Sequence, residues 1–236
     1  MQPELTPYRV AIYYAPDTLS GAWQMGCGWL GRNAATGQQL PQPAVDGMAK
    51  EVLTELTSHP RRYGWHATLK APFQLAPGHT LSTLRTGVQQ ICQGRKPFQL
   101  AAWYLSTIDG FLSMRPEHSP PELAQLAADC VQQLHCFAAP LSETALARRR
   151  LAPLSPEEDA LLLTWGYPYV LQHFHLHFSL TGPLNLLPED RLSLLILAAK
   201  SHFHEVSDER VDRLSIFIEP RQGDDFQLLE QIQFTP

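Results

Sequence analysis

His66-Ala67-Thr68-Leu69-Lys70-Ala71-Pro72-Phe73 and His177-Phe178-Ser179-Leu180-Thr181-Gly182-Pro183-Leu184 spell one pattern twice: His, any residue, Thr or Ser, Leu, any, a small residue, Pro, an apolar residue. The copies begin 111 residues apart. A lone His-x-Thr triplet carries little information, whereas a matched eight-residue frame carries much more. Two imidazoles and two hydroxyls in one site suit a phosphoester. One imidazole takes a proton, the other gives one, and the hydroxyls hold phosphoryl oxygens.

Strand geometry gives each copy two faces, because side chains alternate with period two. Read as a strand over Tyr169–Leu180, the second copy puts Phe174, Leu176, Phe178 and Leu180 on an apolar face. His173, His175, His177, Ser179 and Thr181 then share the opposite face. In the first copy, read as a strand over Trp65–Leu69, His66, Thr68 and Lys70 share a face. The His and the hydroxyl are separated by roughly 6.6–7 Å along such a strand, close enough to reach different atoms of one phosphate.

The remainder of the chain alternates strand and helix patterns. Arg9–Ala15 reads as a strand, residues 20–31 as a loop with a short strand, and residues 32–43 as a loop. Helical spacing marks Val45–Thr57, Leu81–Cys92, a helix from Pro120 to about His135, one beginning at Ser155, and Pro188–Phe203. Phe98–Thr107 and Phe111–Met114 read as a hairpin around Asp109-Gly110. Val211–Glu219 and Phe226–Phe234 read as closing strands. The order predicts an α+β protein of two βα-rich halves, each with its own motif strand, forming a single unit over residues 1–236. Residues 142–154, with Arg148-Arg149-Arg150, read as an insertion between the halves.

Composition narrows the function. The 236 residues are 44% hydrophobic and 17% charged, enough for a packed core. Eighteen basic against 23 acidic residues give a net charge of −5, which argues against a long nucleic-acid partner. No apolar run is long enough to span a bilayer. The start, MQPELTPYRV, lacks the pattern of a secretory leader, so no membrane partner is expected. Cys27, Cys92, Cys130 and Cys136 form no Cys-x-x-Cys pair and read as free thiols in a reducing cytoplasm. Neither a phosphate loop ending in Gly-Lys-Ser/Thr nor a Gly-x-Ser-x-Gly elbow is present.

The paired motifs resemble those of the 2H phosphoesterase superfamily, which includes RNA ligase-like and cyclic-nucleotide phosphodiesterase members. Further stretches are similar to its DUF1045 branch, often described as a phosphonate-metabolism protein. They are Tyr8–Pro16, Trp29–Arg32 with Ala35–Gly37, Tyr63–Phe73 and Thr164–Tyr169. The resemblance runs over nearly the whole chain. It implies a bilobed fold, two pseudo-symmetric lobes of antiparallel sheet with helices around a central cleft. It places the catalytic histidines at His66 and His177 and the phosphate-binding hydroxyls at Thr68 and Ser179, with Ser replacing Thr in the second copy.

Strand alternation adds Lys70 to the phosphate-binding set. Tyr13, Tyr63 and Tyr169 offer rings for a base or sugar, Arg115 follows a strand that can aim it into the cleft, and His175 neighbours the pocket. Arg148–Arg150 reads as a solvated helix face, with attraction of an anionic substrate as the other reading. The expected function is hydrolysis of a small cyclic phosphate or nucleotide-like phosphodiester, requiring no metal and no cofactor, with a possible link to phosphonate metabolism. The expected partner is a small phosphorylated substrate such as a ribose phosphate. Two alternatives remain: a nucleotide or RNA-end binding protein with little turnover, and a zinc hydrolase built on the His-x-His run, with His202, His204 or Asp109 as further ligands.

Overall fold

In a computed structural model, residues 5–100, 102–185, 187–206 and 209–236 are described. Chain order gives β1 (Arg9–Tyr14), α1 (Gly21–Leu30), α2 (Lys50–Leu56), α3 (Ser58–Tyr63), β2 (Ala67–Phe73) and α4 (Leu81–Cys92). Next come β3 (Phe98–Leu100), β4 (Trp103–Ile108), β5 (Phe111–Pro116), α5 (Pro121–Gln133), α6 (Glu143–Arg149) and α7 (Pro156–Trp165). The chain closes with β6 (Phe178–Pro183), α8 (Glu189–His202), β7 (Glu209–Val211), β8 (Arg213–Glu219) and β9 (Gln227–Gln233).

Seven strands form one antiparallel sheet in the order β4-β5-β6-β2-β1-β8-β9, while β3 and β7 pair separately. The sheet is two lobes joined at a narrow point. β2, β1, β8 and β9 make one lobe and β4, β5 and β6 the other. The two motif strands, β2 and β6, meet through a single registered pair, Ala67 with Phe178. The lobes are not the two halves of the chain, because the first half supplies β1 and β2 to one lobe and β4 and β5 to the other. Each lobe is completed by strands from the second half.

Several local expectations change in three dimensions. Residues 20–31 form helix α1 rather than a loop and short strand. Ser20 accepts from the Trp23 amide at its start, and Gly31, at φ 78°, closes it. Three glycines lower the helix propensity there. Gly26, however, is where the helix meets Trp65: a Cβ at Gly26 would lie 2.0 Å from that ring. The helix expected over Val45–Thr57 begins only at Lys50. The strand expected over Phe98–Thr107 divides into β3 and β4, with Ala102 at φ 52°; Ala101 lies outside the described residues. The second motif strand starts at Phe178, after a 3₁₀ turn at Leu171–His173 and irregular backbone. His173, His175 and His177 therefore do not share a strand face.

The core is continuous across both lobes. Trp65 stacks on Phe178 at 4.6 Å and on Phe203 at 5.3 Å between ring centroids. The residue before the first motif His thus packs on the residue after the second. Trp29 in α1 donates its indole N–H to the Leu180 carbonyl at 2.9 Å, tying that helix to β6. Glu219, fully buried at the end of β8, pairs with Arg9 of β1 and with Arg62 of α3. Among the described residues no helix is long and apolar enough to cross a membrane.

Candidate active site

The pairing of Ala67 with Phe178 organises the site. Each is the residue after a motif histidine. His66 and Thr68 flank Ala67, and His177 and Ser179 flank Phe178. Ala67 and Phe178 point to the core, being 0% and 1% exposed, so period two turns the four motif side chains to the other face. All four line one cavity of about 400 Å³, with Arg9, Tyr13, His59, Tyr63, Phe111, Arg149 and Tyr167 among its other walls.

The two histidines are held in the same way. The Nδ1 of His66 lies 2.9 Å from the Gly64 carbonyl, and the Nδ1 of His177 lies 2.9 Å from the His175 carbonyl. A carbonyl only accepts, so Nδ1 carries the proton in each ring and Nε2 is the free nitrogen. In His66 that nitrogen is 3.2 Å from the Thr68 hydroxyl, which donates to it when the ring is neutral. Gly64 sits at φ 82°, and a Cβ there would meet Ala34 at 2.5 Å, so glycine presents this carbonyl without strain.

Burial pushes the pKa of His66 down to about 4; the Gly64 carbonyl opposes that shift and nearby His177 adds to it. His177 is lowered as well, again chiefly by burial, with the His175 carbonyl and Asp109 opposing and Arg115 reinforcing. The unliganded pair is therefore poor in protons at neutral pH. Tyr13 is 1% exposed and stacks on His66 at 3.7 Å with an interplanar angle of 21°, so its ring backs the imidazole. Phe111 tilts against His177 at 5.6 Å.

Lys70 departs from expectation. Tyr13 registers with Thr68 and Ile12 with Lys70, so one step along β1 spans two along β2. This β-bulge breaks the alternation and moves Lys70 off the face that carries His66 and Thr68. Lys70 is buried, donates to the Val131 carbonyl at 3.2 Å and lies 5.2 Å from the Phe73 ring centre. It lines a separate cavity of about 360 Å³ with Val131, His135, Leu162 and Trp165, and burial pushes its pKa down to about 8.

Other candidates also fall outside the cavity wall. Arg115 lies 6.0 Å from the Tyr104 ring centre, opposite that residue in the hairpin. Tyr169 is part-exposed and edge-on to Tyr167. The His175 side chain is exposed, and its carbonyl is what serves the site. Tyr63 does line the cavity, stacked on Phe226 at 5.0 Å. His173 faces Glu157 and Glu158, and no grouping of three metal-binding side chains occurs among the described residues. Sequence reasoning missed Arg9, His59, Phe111, Arg149 and Tyr167 as wall residues. For Arg149 the only signal was the arginine run, which does not distinguish it from its neighbours.

The profile of the family described as protein of unknown function (DUF1045) matches residues 68–227. The chain belongs to the DUF1045 family. Two curated proteins named ribose 1,5-bisphosphate phosphokinase PhnN are similar to this DUF1045 chain. The one from Janthinobacterium sp. (strain Marseille) is 34% identical over 230 residues, 96% of this chain and 51% of its own length. The one from Laribacter hongkongensis (strain HLHK9) is 33% identical over 220 residues, 93% of this chain and 50% of its own length. The chain thus spans about half the length of these relatives. Among solved structures, E. coli LigT complexed with NADP+ is 13% identical with a TM-score of 0.47, covering 98% of this chain and 99% of its own. A protein described as a phosphoesterase is 13% identical with a TM-score of 0.44, covering 98% of this chain and 100% of its own.

Proposed function

We propose that this chain is a 2H-type phosphoesterase that hydrolyses a small cyclic phosphate or nucleotide-like phosphodiester without a metal or cofactor. The observation that carries the reading is the antiparallel pairing of Ala67 with Phe178, which faces two His-x-Thr/Ser copies across one cavity. His66, whose neutral ring is favoured by burial, is the general base. Its Nε2 lone pair takes a proton from water as the water oxygen attacks phosphorus. His177, protonated on both nitrogens, gives its Nε2 proton to the departing ester oxygen as the P–O bond breaks. A cyclic phosphate then opens to a phosphomonoester. The His175 carbonyl steadies the imidazolium through Nδ1–H, while Thr68, whose hydroxyl hydrogen turns from His66 Nε2 to the substrate and so frees that lone pair, and Ser179 donate hydrogen bonds to the phosphoryl oxygens.

A pentose phosphate substrate is consistent with the names of the PhnN relatives, which also suggest the link to phosphonate metabolism. Their kinase activity is not proposed for this chain, which carries no Gly-Lys-Ser/Thr phosphate loop. Three buried free cysteines and one exposed suit a reducing cytoplasm.

The test is turnover of 2′,3′-cyclic nucleotides and of ribose 1,2-cyclic phosphate by purified protein. His66→Ala and His177→Ala are each expected to lower kcat/KM by about 10²–10⁴ while the fold is retained by circular dichroism. Wild-type-like turnover by either variant overturns the assignment. Tight binding with no turnover by the native protein favours a binding protein instead.

A further inference from the structure

The cavity that holds the motif histidines carries more positive charge than those residues use. Arg149 closes α6 and turns inward to line it, its guanidinium 5.2 Å from the centre of the Tyr167 ring. Its neighbours behave differently. Arg150 makes two bonds to Asp159, at 2.6 and 2.8 Å, and Arg148 is exposed. Arg149 is part-buried and has no acidic partner among the described residues. Burial lowers its pKa, and nearby Arg9 and Arg148 lower it further, while Tyr167 and Tyr63 oppose. A guanidinium drawn from water beside another arginine is costly unless an anion joins it.

Arg9 lines the same cavity. It pairs with Glu219, but that single carboxylate also takes Arg62 at 2.5 Å. The wall thus carries two arginines, Arg9 and Arg149, and the one carboxylate paired with Arg9 is shared with Arg62, which leaves positive charge in excess. That excess matches the dianion of a phosphomonoester better than a single carboxylate. Arg9 also stands apart from the histidines: along β1 it is four residues from Tyr13, the ring stacked on His66, a separation of roughly 13 Å at the rise of a strand. At about 400 Å³ the cavity falls in the usual range for small-ligand sites, roughly 300–1,000 Å³.

We propose that Arg149 and Arg9 form a second anion subsite, so that the substrate carries a phosphoryl group remote from the ester at the histidines. This rests on the phosphoesterase reading and narrows it to doubly phosphorylated small molecules, such as a pentose bearing both a cyclic phosphate and a phosphomonoester. The planar fork of Arg149 donates two N–H bonds to oxygens of the remote phosphoryl group, and the Tyr167 ring supports the fork.

The experiment compares a 2′,3′-cyclic nucleotide with its 5′-phosphorylated counterpart. The native protein is expected to favour the latter by about tenfold or more in kcat/KM. Arg149→Gln should shrink that ratio toward one, and Arg149→Lys should restore part of it. A native ratio near one, or an equal loss on both compounds in Arg149→Gln, overturns the subsite. Calorimetry separates this from failure of the hydrolytic reading. Ribulose 1,5-bisphosphate should bind at least about tenfold tighter than ribose 5-phosphate, with the gap lost in Arg149→Gln, whether or not any compound turns over. Equal binding of the two sugars overturns the subsite by itself.

Discussion

His66 and His177 differ from surface histidines in what they accept and donate. Each ring spends its Nδ1 proton on a carbonyl two residues back, so chemistry at the cavity is left to Nε2. Burial moves both pKa values below the ordinary 6.5, His66 to about 4. The sign of the pH effect follows from the proposed roles. The base must be neutral, which fails as pH drops toward 4. The acid must be protonated, which fails as pH rises through a value below 6.5. The bell-shaped kcat/KM profile of the free enzyme is therefore expected to lie on the acid side of pH 6.5, with apparent values that belong to the coupled pair. The kcat profile should lie higher, because bound phosphate favours the imidazolium. A kcat/KM optimum above pH 8 would reject this division of labour. These histidines were legible in the sequence because a repeated frame selects them; Arg149 was not, since Arg148 and Arg150 offer the same local chemistry.

At the scale of elements, strand β2 shows how a neighbour rewrites a local rule. Strict alternation puts Lys70 beside Thr68, but the bulge forced by pairing with β1 sends it to another cavity. Lys70→Met is accordingly expected to keep kcat/KM within about threefold, whereas loss of one phosphate-stabilising donor costs about 10²–10³. A loss of that size, measured on the cyclic phosphate substrate, would return Lys70 to the site. Helix α1 makes the complementary point. Gly26 weakens a helix judged locally, yet it is the residue that lets Trp65 approach. Propensity sees the missing side chain, and only packing shows what fills its place.

Over the whole molecule, the two lobes are held at their narrowest point by aromatic stacking and one strand pair. Trp65 bridges Phe178 and Phe203 there, buried at 1% exposure. Trp65→Ala is expected to cost about 3–5 kcal/mol in stability, read from urea unfolding. It should also lower activity in the remaining folded protein, because the same contact fixes the distance between the motif strands. A shift below about 1 kcal/mol would mean that the lobes are held elsewhere.

By itself the sequence determined the local pattern: a repeated His-x-Thr/Ser frame, an apolar face behind each copy, and mixed helix and strand patterns around them. These are local properties, carried by residue type and spacing. Only the tertiary structure decided that the two copies pair through Ala67 and Phe178, that the lobes interleave strands from both halves of the chain, and that Arg149 enters the cavity while Lys70 leaves it. Those outcomes depend on strand register and on contacts between residues far apart in the chain. Pairing energies, bulges and burial are set by both partners at once, and neither segment contains that information alone.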